Sequence, residues 1–240
     1  ATTTAPTAPT GAPTTPSSTV PDPVSPAATT TTMPATTVPV AADSFPPSTG
    51  EWATVSAAEA GFTDAGLAEV LALVERSNSQ SFVLTIDGRI VAEQYWQGAD
   101  ATTRRDIASA QKSITSTLVG LARDKGLLTL DQTVTSILGA GWTAAPAADE
   151  ALITVHHLLT MTSGLEPFTL RRKAAPGAAW EYNTEAYQRL RPVLEAVAGT
   201  DINTLSGDWL FDELGIDAQS WYARPAASDA LGNAIWGLNI

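Results

Sequence analysis

Two β-rich runs, Ser81–Ile86 and Arg89–Trp96, flank the dipeptide Asp87-Gly88, and this pattern most narrows what the chain can fold into. Asp-Gly between such runs signals a two-residue hairpin turn, because both turn positions need a positive φ. Ahead of it, Leu67, Val70, Leu71 and Val74 recur at helical spacing behind Thr63. That spacing predicts a capped amphipathic helix packing one face inward. A helix followed by an antiparallel hairpin points to an α+β architecture and away from a doubly wound parallel sheet.

Downstream the pattern is mostly helical. A second helix is expected from about Ser109 to Lys125, with Ile114, Leu118 and Leu121 along one side and Gly126 ending it in the left-handed conformation. Asp131 is expected to cap a short helix, and Thr154 to cap Val155–Met161, which Gly164 ends. Helical spacing returns over Glu185–Ala198 and Asn203–Leu214. There is no internal repeat.

Regular spacing begins only at Glu51. Residues 1–50 are almost entirely Ala, Thr, Pro, Ser and Val, with Asp22 and Asp43 as the only charges. Such a stretch has no apolar periodicity to offset the entropy of ordering it, and its prolines favour extended segments. It reads as a disordered linker, of the kind that tethers exported bacterial domains, so an extracytoplasmic location is expected: secreted, periplasmic or bound to the cell surface. No run is long and apolar enough for a transmembrane helix, and the chain starts at Ala1 without a recognisable leader.

The formal charge of −12 disfavours a nucleic-acid partner, which needs a concentrated basic surface. The nearest approach to one, Arg171-Arg172-Lys173, reads as a solvated loop. With no cysteine, thiolate metal sites, disulfides and cysteine nucleophiles are excluded. His156 and His157 are the only histidines, and neighbours on a helix point about 100° apart. One is expected to pack or cap and the other to be exposed, with no third ligand to complete a zinc site. No metal or organic cofactor is expected.

Without a usable histidine, a serine nucleophile needs another base, and a neutral lysine can serve. In Ser109-Ala110-Gln111-Lys112 the i, i+3 spacing puts both side chains on one helix face. The positive end of the helix disfavours an ammonium and favours an oxyanion. Taken alone, the same tetrad fits a capping serine followed by a solvated lysine.

Three segments together carry a family resemblance. Arg104–Ser116, containing Ser109-Ala110-Gln111-Lys112, resembles the first motif of the penicillin-binding-protein-like serine hydrolases. That group includes class C β-lactamases, related esterases and 6-aminohexanoate-dimer hydrolases. Thr154–Leu165 is similar to the family's helix-and-loop signature, and Pro176-Gly177 with Trp180-Glu181-Tyr182-Asn183-Thr184 and Tyr187 resembles its second motif.

The resemblance covers about Ala53 to the C-terminus. It implies the transpeptidase-like fold, an antiparallel sheet with flanking helices and a helical subdomain, and a small ester or amide substrate. Ser109 would form the acyl-enzyme, with its N–H as half of the oxyanion hole. Lys112 and Tyr182 would carry protons, and Asn183 and Thr184 would bind substrate.

Two departures shape these expectations. The second motif usually reads Tyr-x-Asn, whereas Asn183 here is in the middle and Thr184 third. This favours an esterase or amidase over a true β-lactamase, while a D-amino-acid peptidase acting on peptidoglycan-type substrates is a second possibility that a surface tether would suit. After Tyr182 there is neither His nor Lys, so the family's third motif, Lys-Thr-Gly or His-x-Gly, is absent from these residues. Residues 51–240 therefore read as the N-terminal part of the domain, truncated and inactive by itself, with exposed apolar surface and a free sheet edge. A non-catalytic binding domain of the same fold is the rival from another class.

Overall fold

The computed structural model describes residues 46, 47, 49–216 and 219–240. The linker expected over residues 1–50 lies outside the described residues except for positions 46, 47, 49 and 50. The hairpin forms as its turn dictates. Strands β1 (Ser81–Ile86) and β2 (Arg89–Tyr95) pair antiparallel, with Ile86 opposite Arg89, and Asp87 and Gly88 adopt φ of 48° and 70°. Before it runs α1 (Asp64–Arg76), whose N-cap Thr63 accepts a hydrogen bond from the Gly66 amide at 3.1 Å. The expected inward face is only partly realised: Leu67, Leu71 and Val74 are half-buried, Val70 and Leu73 are exposed, and no α1 residue is fully buried.

The core sits among the helices. α2 (Gln111–Asp124) buries Gln111, Thr115, Leu118, Val119 and Ala122, while Ile114 and Leu121 are half-buried. The stripe is thus rotated from the expected one, because small Ala122 and Thr115 allow close approach where the larger residues do not. α2 packs on α7 (Leu190–Ala198), whose Leu190, Val193 and Leu194 are fully buried. The cluster is completed by Val134 of α3 (Val134–Leu138), Val155 and Leu158 of α5 (Val155–Leu159), Ile202 and Leu205 of α8 (Ile202–Ser206), and Phe211. Between α3 and α5 lies the one-turn α4 (Ala147–Glu150).

Several helix bounds differ from the sequence expectation, each for a local reason. Thr133, not Asp131, occupies the N-cap position of α3. α5 stops at Leu159, short of Met161, whose φ is +55°. The helix expected over 185–198 divides into α6 (Thr184–Tyr187) and α7. Pro192 explains this: it has no N–H for the Gln188 carbonyl, and its ring crowds that carbonyl. The helix expected over 203–214 begins one residue earlier, capped by Asp201, and widens into a π-turn at Gly207–Phe211.

A second hairpin, β3 (Ser220–Ser228) with β4 (Ala234–Asn239), inserts Trp221 and Leu238 into the same core. Chain segment 105–107 runs antiparallel along β4, with Ile107 N–H donating to Leu238 O at 3.0 Å and Arg105 N–H to Ile240 O at 3.2 Å. The buried Arg189–Asp229 ion pair fastens the start of α7 to the β3–β4 connection, and Asp229 also accepts from the Leu231 and Asn233 amides. Leu194→Ala, which empties a fully buried position on α7, is expected to lower unfolding free energy by about 2–5 kcal/mol. The check is a lower urea midpoint with an unchanged slope.

Candidate active site

Ser109 does not begin α2. It lies in a single 3-10 turn, Ala108–Ala110, that leads into the helix. In such tight winding, side chains at i and i+3 come nearly into line. Lys112 accordingly lies over Ser109, its Nζ donating to Oγ at 3.1 Å. The hydroxyl is exposed, while α2 beyond it is anchored in the core.

Tyr182 arrives at the same oxygen from a distant part of the chain. Its hydroxyl is 2.7 Å from Ser109 Oγ, and Lys112 Nζ is 5.2 Å from the centre of its ring. Hydrogen bonding to Ser109, and next to Lys112, holds the Tyr182 phenol below its ordinary value, with Thr184 adding to the effect and desolvation opposing it. The phenolate is thus favoured beside Ser109 and Lys112.

The loop after α5 holds Tyr182 in place. Met161 O accepts from Glu181 N–H at 2.9 Å, Thr162 O from Gly177 N–H at 2.7 Å, and Leu165 O from the Asn183 side-chain Nδ2 at 2.9 Å. His157 caps its own helix with Thr154 and stays half-buried, while His156 is exposed. This is the expected division, one histidine capping and the other exposed. Tyr187 closes the arrangement from below: its hydroxyl donates to the Lys112 carbonyl at 2.8 Å, and burial pushes its own titration up to about 12.

A sequence model of the beta-lactamase family matches residues 72–237, more than half of the chain. The chain belongs to the beta-lactamase family. An uncharacterized protein of Alkalihalophilus pseudofirmus is 25% identical over 163 residues, covering 63% of this chain and 46% of its own length. The octameric penicillin-binding protein homologue from Pyrococcus abyssi shares the fold with a TM-score of 0.58 at 17% identity, over 74% of this chain and 53% of that one. A class C beta-lactamase from Rhodobacter sphaeroides does so with a TM-score of 0.56 at 19% identity, over 74% of this chain and 62% of that one. The chain spans about half the length of the first two.

Within this beta-lactamase fold, Ser109, Lys112 and Tyr182 come together, and Thr184 stands half-buried beside them. Asn183 is placed differently from its expected substrate-binding role. It is 2% exposed, its Oδ1 accepts from Ala186 N–H at 2.9 Å as the N-cap of α6, and its Nδ2 is engaged by Leu165. With both ends of the carboxamide engaged inside the protein, it holds Tyr182 in register. A cleft of about 260 Å³ opens beside Tyr182, lined by Gly164, Lys173, Ala174, Trp180 and Glu181.

The basic run at its rim is exposed, as expected. Arg172 pairs with Asp149 at 2.7 Å and Lys173 with Glu181 at 2.6 Å. Among the described residues no group of three or more His, Cys, Asp or Glu is placed to hold a metal, and no helix is long and apolar enough to cross a membrane. Sequence reasoning missed the residue before Ser109: Ala108 has φ of +48°, a left-handed conformation costing a non-glycine residue about 1–2 kcal/mol. It also missed Asp106, Tyr222 and Arg224, which meet beneath that turn.

Two outcomes follow from this geometry. The Tyr182 phenol, isolated as the difference between the ultraviolet titrations of wild type and Tyr182→Phe, is expected below the ordinary tyrosine range. Ser109→Ala and Lys112→Ala should each move it upward. Asn183→Ala is expected to cost about 1–3 kcal/mol of stability, through the lost cap and the unpaired Leu165 carbonyl. Calorimetry of that variant distinguishes a cap from a residue that only binds substrate.

Proposed function

We propose that the protein is a serine hydrolase that cleaves an ester or amide through an acyl-enzyme on Ser109. The observation that carries this reading is the convergence on one hydroxyl oxygen of Lys112 Nζ at 3.1 Å and Tyr182 OH at 2.7 Å. Serine attacks the substrate carbonyl carbon as its proton passes to the Lys112–Tyr182 pair. The tetrahedral oxyanion is met by the Ser109 N–H. Collapse breaks the bond to the alcohol or amine, which leaves with a proton returned by Tyr182. Water then attacks the acyl carbonyl carbon while giving a proton to the same pair; the bond to Ser109 Oγ breaks, the pair returns that proton to Oγ, and the acid and free Ser109 are released. No metal or organic cofactor enters this scheme.

The cleft beside Tyr182, with the exposed Trp180 on its wall, is a suitable place for one arm of the substrate. Engagement of Asn183 within the fold leaves Thr184, a hydroxyl, as the available second-motif side chain, which favours esterase or simple amidase chemistry over β-lactam hydrolysis. The Thr/Pro/Ala-rich residues 1–50 suit a tether for an extracytoplasmic domain formed by residue 51 onward. Residues 183–240 contain no Lys or His for the family's third motif, so the test belongs to the full-length protein.

A fluorophosphonate probe is expected to label Ser109 in that protein and not in Ser109→Ala. Turnover of p-nitrophenyl esters should exceed that of nitrocefin, and Lys112→Ala and Tyr182→Phe should each lower kcat/KM by about 10²–10⁴-fold. Absence of labelling, under conditions that label a class C β-lactamase, would establish the non-catalytic binding domain instead. Faster nitrocefin turnover would make the protein a β-lactamase.

A further inference from the structure

The turn that presents Ser109 is strained at Ala108, and that strain has an identifiable restraint. Asp106 Oδ1 accepts the Ala108 N–H at 2.8 Å. The same carboxylate takes two bonds from Arg224, Nε to Oδ2 and Nη2 to Oδ1, each at 2.8 Å, and a third from the Tyr222 hydroxyl at 2.7 Å. A fork-to-fork guanidinium–carboxylate pair fixes both position and orientation. These bonds, the Arg224 bond foremost, hold the Asp106 carboxyl at about 2, well below its ordinary value. It therefore stays an acceptor across the working range of any hydrolase near neutrality.

Access to Asp106 depends on a missing side chain. Tyr222 stands opposite Gly237 in the β3–β4 ladder, and its ring lies across that glycine to reach the carboxylate. A Cβ at 237 would sit 2.8 Å from two ring carbons of Tyr222 and 2.9 Å from Asp106 Oδ2. Both distances are well inside van der Waals contact, so the close approach requires glycine.

We propose that Asp106 is a positioning residue for the nucleophile, holding Ala108 in its left-handed conformation, with Arg224 and Tyr222 on β3 as the fixed support. Asp106 touches neither substrate nor reacting atoms. It acts by setting where the Ser109 hydroxyl stands relative to Lys112 and Tyr182. The proposal rests on Ser109 being the nucleophile of the reaction described above, although the restraint on Ala108 can be measured without any turnover.

The test uses the full-length protein and two readouts, the rate of fluorophosphonate labelling at Ser109 and the hydrogen-exchange rate of the Ala108 amide. Asp106→Ala is expected to slow the maximal labelling rate by about 100-fold, as a misplacement of about 1 Å does, with little change in apparent probe affinity. Exchange at Ala108 should accelerate. Asp106→Asn, whose carboxamide oxygen still accepts from Ala108, should recover most of the loss and stay about tenfold below wild type. It also keeps the test open if Asp106→Ala does not fold.

Wild-type labelling in a folded Asp106→Ala, or an equal loss in Ala and Asn variants with unchanged exchange, would overturn the proposal. If the wild type itself does not label, the hydrolase reading fails. Crystals of Asp106→Ala then decide: a retained 2.7 Å contact between Ser109 Oγ and Tyr182 OH refutes the positioning role, and its loss supports it.

Discussion

The fold depends on one helix being buried along its length and open at its start. Gln111, Thr115, Leu118, Val119 and Ala122 mark a continuous buried stripe on α2, most of it fully sequestered against α7 and its neighbours. Burial of aliphatic side chains like these contributes about 1.5–3 kcal/mol each relative to exposure. A helix so anchored cannot slide or rotate to suit its first turn, so the first turn must accommodate the helix. Ala108, with φ of +48°, opens the turn that leads into α2, and Ser109 is the next residue.

Ser109, Lys112 and Tyr182 come from two parts of the sequence that meet through backbone and not through side-chain packing alone. Ser109 and Lys112 are held by α2, and Tyr182 by amide hydrogen bonds to the loop after α5. Trp236 supplies another tie: its carbonyl accepts from both Gln111 at 2.8 Å and Gln188 at 3.0 Å, so α2 and the α6–α7 junction share a fixed point on β4. Bonds of this kind are short and directional, which suits a site whose geometry must hold to fractions of an ångström.

Much of this was legible in the sequence. Asp87-Gly88 specified its hairpin, Thr63 and Thr154 their helix caps, and Ser-x-x-Lys with a distant Tyr182 the side chains that converge at Ser109 Oγ, because each depends on chemistry within a few residues or on a motif. What was hidden depends on tertiary placement. Asn183 is polar and lies in a motif, which suggested substrate contact; only the fold reveals that its carboxamide is engaged by Leu165 and Ala186. Pro192 did carry a readable signal, since a proline inside an expected helix marks a break, and the break falls where its missing N–H predicts. The meeting of Asp106 with Tyr222 and Arg224 had none: the latter two lie more than a hundred residues downstream of Asp106, and the three assemble only when β3 reaches the Ser109 segment.

Gly237 shows what such assembly means for mutational tolerance. It sits in a strand, its backbone needs no unusual φ, and a survey of local propensity would rank it as freely replaceable. Yet the smallest added side chain collides with the Tyr222 ring and with Asp106, and either collision is transmitted to Ala108 and so to Ser109. Sequence drift in the turn that carries Ser109 is therefore constrained from a position 128 residues downstream. Among homologues, the identity of that one residue should track whether the acidic residue at the position of Asp106 has been kept.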